Sequence, residues 1–403
     1  MNWLKEKLRQ EVLDSIDLSS DISDEELLNL IDEILIINSR KHYIGIQDKR
    51  KLRREIFNSI RRLDVLQDLL EDPAVTEIMV NGTKDIFIEK NGEMYRCDKC
   101  FESKEKLEDV VQQIVSQSNR VVNTSNPIVD SRLQDGSRIN IVLPPVAIDG
   151  PVITIRRFPE NPITMEQLIE YKSITADAAA FLEKLVIAGY NIFISGGTGS
   201  GKTTFLNVLS NFIPRNERII TIEDSAELQI RNIPNLVRLE VRTGNGEGNI
   251  EITIRDLIKT ALRMRPNRII VGEVRDEAAI DMLQAFNTGH DGSISTGHAN
   301  SPADMLSRLE TLVLMGAEIP LTAVRRQIAS AIDIIVHLGR LRDKSRRVLE
   351  ITEVLDLRNG DYVLNPIYIF VEKGEDKERI TGTLEKVGEL KCREKLNRAG
   401  IKL

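Results

Sequence analysis

Three cysteines in 403 residues are too few for a disulfide framework, so the fold rests on its core and the chain reads as intracellular. No window approaches 18 uninterrupted apolar residues, which excludes a membrane-spanning helix. The opening Met1-Asn2-Trp3-Leu4-Lys5-Glu6 lacks the basic-then-apolar order of a signal peptide. Collagen-like and low-complexity bias are missing as well. Basic charge is not in surplus either. The net charge is −7, against the excess of Lys and Arg that a non-specific nucleic-acid binder carries, so no direct nucleic-acid partner is expected. What remains is a soluble globular protein, 41% hydrophobic and 29% charged, with length for two or three domains. Any membrane association must come through partners.

The rest of the chain is organised around Gly196-Gly197-Thr198-Gly199-Ser200-Gly201-Lys202-Thr203, which fits G-x-x-x-x-G-K-[ST]. Before it, Tyr190 to Ser195 reads as a short buried strand. After it, Phe205, Leu206, Val208, Leu209 and Phe212 recur at helical spacing from Thr204 onward. Strand, glycine loop and helix together put backbone N–H groups and a helix N-terminus around an anion. Lys202 then reaches the β- and γ-phosphates, the Thr203 hydroxyl sits on Mg2+, and Thr204 continues the phosphate-binding run. A chance glycine turn would not bring the strand and helix with it. The chain binds a nucleoside triphosphate, with ATP and Mg2+ as the expected cofactors.

Residues 1–62 read as an N-terminal helical bundle, with Ser23-Asp24-Glu25-Glu26 as a capping box ahead of the stripe Leu27, Leu30, Ile31, Ile34, Leu35. The basic run Lys49, Arg50, Lys51, Arg53, Arg54, Arg61 and Arg62 reads as a solvated helix face. The sharper alternative is contact with acidic lipid headgroups or an acidic partner. Residues 63–158 form an α+β domain, with a hairpin around Asn81-Gly82, a helix over 104–118 and strands over 139–143 and 152–155. Within it, Cys97-Asp98-Lys99-Cys100 supplies only half of a four-ligand metal site. Arg132, Arg138, Arg156 and Arg157 cluster there. Surface arginines are the plain reading, but a neighbouring domain can also present guanidinium groups to a γ-phosphate, and Arg138 and Arg156 are the better candidates. A polar, proline-containing stretch over 159–174 then reads as a linker to an ATPase domain over 175–403.

Two further strands end in acids: Arg218 to Glu223-Asp224, and Arg268 to Gly272-Glu273. In parallel α/β sheets ligands gather at the carboxyl ends of strands. Hydrolysis needs a carboxylate to orient and deprotonate water and another group to manage Mg2+. Glu273 is assigned to the water; Glu223, assisted by Asp224, to metal and water ordering. The polar segment Thr288 to Pro302 carries His290 and His298, of which His298 is the better γ-phosphate sensor. His42 and His337 read as structural. Strands over 348–354 and 362–370 close the domain, followed by a charged helical tail whose role is not readable.

These four segments together resemble the type II/type IV secretion ATPase superfamily: a Walker A loop, an Asp box (Thr221 to Leu228), a Walker B strand ending in Gly272-Glu273 and a His box around His298. Within it, Asp72 to Gly82, Val129 to Asn140 and Ile254 to Leu314 look like tight-adherence (Tad/Flp) pilus ATPases of the CpaF type. The resemblance implies an α/β fold class: a RecA-like P-loop ATPase domain preceded by a smaller α+β (PAS-like) domain and an N-terminal helical region. It also implies a cytoplasmic homo-oligomeric ring, typically a hexamer, with ATP between the C-terminal domain and arginines of an N-terminal domain. Arg138 and Arg156 match the family's arginine positions. Such a motor drives pilus assembly or secretion through an inner-membrane platform protein. A conjugation ATPase of the same superfamily and a nucleotide-gated scaffold with little turnover are the alternatives.

Overall fold

The computed structural model describes residues 2–16, 22–39, 44–90, 92–117, 120–158, 162–242, 251–376 and 379–403. His42 and residues 159–161 of the expected linker lie outside them. The chain divides into two compact units, Met1–Glu160 and Asn161–Leu403. No described helix is long and apolar enough to cross a membrane.

The first unit opens with α1 (Asn2–Ser15), α2 (Asp24–Ser39) and α3 (Ile46–Arg61), which share a core of Leu8, Val12, Leu27, Ile31, Leu52 and Ile56. The expected capping box is present: the Ser23 N–H donates to Glu26 Oε2 at 2.9 Å and the Glu26 N–H donates to Ser23 Oγ at 3.2 Å. Much of the basic run is matched inside the unit. Arg53 pairs with Asp32 at 2.7 Å, Arg54 with Asp68 at 3.2 Å and Arg62 with Asp24 at 3.4 Å. These arginines are thus each matched by a carboxylate of the same unit while remaining exposed.

Next come α4 (Val65–Glu71), β1 (Val75–Asn81), β2 (Asp85–Lys90), β3 (Glu93–Arg96), α5 (Lys104–Ser116), β4 (Ile128–Arg132), β5 (Arg138–Val142) and β6 (Val152–Arg156). Among the described residues the six strands form one antiparallel sheet in the order β3-β2-β1-β6-β5-β4. Its alternate residues Ile78, Val80, Ile139, Ile141, Ile153 and Ile155 face α5, which buries Leu107, Val110, Val111 and Ile114 at helical spacing. Cys97 packs at the edge of this core, whereas Cys100 is exposed.

The second unit runs α6 (Met165–Glu170), α7 (Ala176–Ile187), β7 (Ile192–Gly196), α8 (Lys202–Ser210), β8 (Arg218–Glu223), β9 (Asn235–Glu240), α9 (Ile254–Ala261), β10 (Arg268–Val271), α10 (Ala278–Asn287), β11 (Ile294–Gly297), α11 (Pro302–Gly316), α12 (Leu321–Ala331), β12 (Ile334–Arg340), β13 (Arg346–Arg358), β14 (Asp361–Asp376), β15 (Arg379–Lys386) and α13 (Glu394–Ala399). Among the described residues its nine strands make one sheet, β15-β14-β13-β12-β7-β11-β10-β8-β9, parallel from β12 to β9 and antiparallel beyond. Helices cover both faces of the parallel part. Ile192 and Ile194 therefore enter one core and Phe193 the other, which is why β7 reads as an unbroken apolar run.

Two segments hold strands that the sequence patterning did not disclose. The polar stretch after Gly292 is a central strand, β11, with Ser293, Ser295 and Thr296 almost fully buried. The charged C-terminal tail is mostly not helical. Ile380 and Leu384 alternate inward on β15, and α13 spans only six residues. Charge on the outward side of an edge strand hid the period-2 pattern.

One side chain ties the unit together. Asn191, 2% exposed, donates through Nδ2 to Ala331 O at 2.8 Å and Phe286 O at 3.3 Å. Its Oδ1 accepts the Gly292 and Ser293 N–H groups at 2.9 and 3.1 Å. Every hydrogen-bonding site of the amide is filled, joining β7 to the approaches of β11 and β12. Replacing it by alanine leaves four buried backbone groups unpaired. Asn191→Ala should therefore cost roughly 3 kcal/mol or more. Urea unfolding checks this, and an unmoved midpoint would show that the amide does not hold the strands.

Candidate functional site

The parallel order β7-β11-β10-β8 places four carboxyl ends side by side: the glycine loop after β7, His298 after β11, Glu273 after β10 and Glu223 at the end of β8. The topology thus brings these sequence-predicted groups to one edge. Gly201 caps α8 at φ 93°, a left-handed conformation costly for other residues. Gly196 passes so close to the Leu338 carbonyl of β12 that a Cβ would collide with it. Gly197, Thr198 and Gly199 are exposed along the loop, Ser200 is buried, and Thr203 and Thr204 begin the helix at its rim.

Lys202, 7% exposed, turns back into the loop and donates to Gly196 O and Gly197 O, each at 3.1 Å. Its Nζ also stands 3.3 Å from His298 Nδ1. An ammonium only donates, so Nδ1 must accept and the imidazole hydrogen lies on Nε2. That nitrogen is 3.0 Å from Glu273 Oε1. Burial first, and the Lys202 charge second, hold the His298 pKa below its ordinary value. The neutral histidine therefore stands between ammonium and carboxylate, close to Glu273 Oε1 but not aligned for a hydrogen bond with it. Arg275 completes the line, its Nη2 donating to Glu273 Oε2 at 2.6 Å and its Nη1 reaching 3.9 Å from Asp224. Sequence reasoning missed Arg275, although its place two residues after Glu273 was a usable signal.

Glu223 plays a different part from Glu273. It is 3% exposed, and its Oε1 accepts the N–H groups of Glu227 and Leu228, both at 2.8 Å. Its Oε2 is buried without a partner. Burial pushes its pKa up to about 7 despite those two bonds. One oxygen thus fixes the loop after β8, and the other alone is left for a ligand. His337, expected to be structural, is buried with Nδ1 2.9 Å from Ser195 Oγ.

In the first unit, register aligns Arg132, Arg138 and Arg156 across β4, β5 and β6. Arg138 lies 3.6 Å from Asp130 and Arg156 lies 3.7 Å from Glu77. Arg157 instead braces the chain, donating to Val75 O at 3.0 Å.

The loop fits a polyphosphate: glycines leave room for it, a buried ammonium faces it, and the buried Ser200 hydroxyl has no partner. Beside Ser200 and Gly201 opens a cavity of about 280 Å3, walled by Ile163, Leu168, Tyr171 and Phe205, apolar enough for a nucleoside. Among the described residues no three His, Cys, Asp or Glu side chains are grouped to hold a metal. A magnesium ion would take the Thr203 hydroxyl and the free oxygen of Glu223, with phosphate and water oxygens completing its shell.

Residues 61–398 match the family model described as "Type II/IV secretion system protein". The chain is 34% identical over 303 residues to the conjugal transfer protein TrbB of Rhizobium radiobacter, covering 74% of this chain and 90% of that one. It is 33% identical over 305 residues to VirB11 of Agrobacterium fabrum, covering 68% and 87%. Among solved structures, that of the pilus retraction motor PilT with bound ADP matches with a TM-score of 0.51 at 19% identity, covering 75% of this chain and 81% of that one. That likeness is one of fold, a RecA-like ATPase domain behind an N-terminal domain.

The Glu223 carboxyl carries a stability prediction. Its folded pKa, about 7, exceeds its ordinary 4.5. The neutral form is favoured by folding, so its contribution is complete below about 4.5 and is lost as pH rises through about 7, on the order of 3 kcal/mol in all. Glu223→Gln should lose less thermal stability than the parent between pH 5 and 8. Parallel melting curves for the two proteins would refute the raised pKa.

Proposed function

This chain belongs to the type II/IV secretion system protein family, and from that premise we propose that it hydrolyses ATP, with Mg2+, to drive a machine at the membrane. The observation that carries the reading is the continuous contact Lys202–His298–Glu273 at the mouth of the glycine loop. ATP supplies the phosphoanhydride bond that is broken. The loop N–H groups and Lys202 bind its phosphates, and Thr203 would hold the metal. Glu273, steadied by Arg275, takes a proton from water. Neutral His298 touches both the phosphate-binding lysine and the water-activating carboxylate, so its position responds to the state of either. Glu223 sets the loop after β8 through its bonds to Glu227 and Leu228, and its other oxygen would be available to the metal. Arg138 and Arg156 are assigned to the γ-phosphate on the family resemblance.

In this reading the chain works at the cytoplasmic face of the cell membrane as a ring, typically a hexamer, docked on a platform protein. The segments Asp72 to Gly82 and Ile254 to Leu314 favour a pilus-assembly motor of the tight-adherence kind. A second reading, a conjugation or type IV secretion motor, is favoured by the TrbB and VirB11 relatives. Secretion of pilin by a deletion strain restored with this chain supports the first; restored plasmid transfer supports the second.

Glu273→Gln should retain ATP while losing turnover by roughly 10²-fold or more. Normal hydrolysis by that variant would transfer the base role to Glu223. Turnover per subunit, measured against protein concentration with mass from light scattering, should rise as a ring assembles. A fully active monomer would refute the ring.

A further inference from the structure

The cations of the turn between β12 and β13 divide into two groups. On the outer side, Arg342 is saturated by carboxylates, donating to Glu372 at 2.6 and 3.0 Å and to Glu375 at 3.1 Å. Arg340, Lys344 and Arg346, by contrast, make no ion pair among the described residues. Two of these lie against the phosphate loop. Arg346 Nε donates to Gly199 O at 2.9 Å. A Cβ built on Gly199 would stand 3.8 Å from Arg340 Nη1, and one built on Gly201 3.5 Å from Arg346 Cδ. Unpaired guanidinium groups beside a loop shaped for phosphate are poorly placed for stability and well placed for an anion.

The turn is held rigidly in that position. Asp343 accepts the Ser345 N–H and hydroxyl at 3.0 and 2.6 Å, and its other oxygen accepts the Ile380 N–H of β15 at 2.9 Å. The buried Arg347 donates to Lys172 O at 2.5 Å and Ile380 O at 3.2 Å, and the Val348 N–H donates to Ser173 O at 2.8 Å. Bracing of this kind lowers the ordering cost of binding. Strand order then says which end of the nucleotide the turn meets. Glu273 and His298 come from β10 and β11 on one flank of β7, whereas the turn follows β12 on the other. Lys344, Ser345 and Arg346 also line the apolar cavity beside Ser200.

We propose that the β12–β13 turn is a clamp, supplied by the same chain as the phosphate loop, in which Arg346 and Arg340 bind the nucleoside-side phosphates shared by ATP and ADP. The clamp rests on the ATP-hydrolysis reading and adds residues that grip substrate and product alike. It therefore governs retention of the nucleotide rather than cleavage of its terminal phosphate. The C-terminal strands gain a role: β15 holds the clamp in place through Ile380.

Titration of the full chain with a fluorescent ADP analogue, alongside steady-state ATPase kinetics, tests this. Arg346→Ala should weaken ADP binding about tenfold, and the Arg340→Ala/Arg346→Ala pair further. KM for ATP should rise in step, with kcat changed by no more than about threefold. Arg346→Gln keeps the stem over the loop and removes the charge, so it should give the same loss with folding preserved. Arg342→Ala, whose partners are Glu372 and Glu375, should bind ADP as the parent does. ADP affinity within about twofold of the parent in the double variant would overturn the clamp. Failure of the parent to bind ADP, or normal binding by Lys202→Ala, would overturn the phosphate-loop reading instead.

Discussion

A single buried amide sets the frame on which the candidate site is built. Asn191 fills all its hydrogen-bonding sites with backbone groups from the approaches to β11 and β12. Because those contacts fix where the three strands start, they also fix where the strands finish. The glycine loop, His298 and the β12–β13 turn sit at those finishing ends. Contacts near 3 Å between Lys202, His298 and Glu273 tolerate no slip of one residue, since a slip reverses every side chain on a strand. The polar knot at one end of the sheet thus positions the chemistry at the other.

The site is a graded arrangement of charge. Lys202 is cationic, His298 neutral and Glu273 anionic, with Arg275 closing the line. Burial and the ammonium beside it both lower the histidine's pKa, against the pull of Glu273. Glu223 stands apart because its surroundings are dry and its bonds come from backbone. Two glutamates at the ends of neighbouring strands, alike in sequence, are thereby given unlike surroundings.

The glycine loop, the two acid-ending strands and the α/β alternation were legible because each has a local signature: fixed spacing, apolar runs, flanking helix. Strand β11 was not. Ser293, Ser295 and Thr296 look like loop residues, and for two of them partners explain the burial: Ser293 Oγ donates to His290 O and Thr296 Oγ1 to Gly272 O, each at 2.7 Å, whereas the buried Ser295 hydroxyl has no partner. The Thr296–Gly272 pairing joins residues 24 apart in sequence, and neither bond leaves a periodic trace. Arg275 was hidden for a similar reason, since its value lies in reaching Glu273 and Asp224 together. The β15 strand escaped notice because its outward residues are polar or charged and its inward ones few. The arginines at 132, 138 and 156 were visible as a cluster, but their alignment into one row needed the register of three strands.

The central place of β7 also bears on how the protein is made. Ile192 pairs with Ile294 of β11 and Ile334 of β12, both far along the chain. Contacts so distant form late, because the closing of long loops must precede them. During synthesis the glycine loop emerges well before the strands that flank β7 and the turn that braces it. A nascent chain carrying only the loop has no neighbours to hold its curve. The curve of the loop therefore depends on strands made later, since Gly196 packs against Leu338 O of β12 and Arg346 donates to Gly199 O.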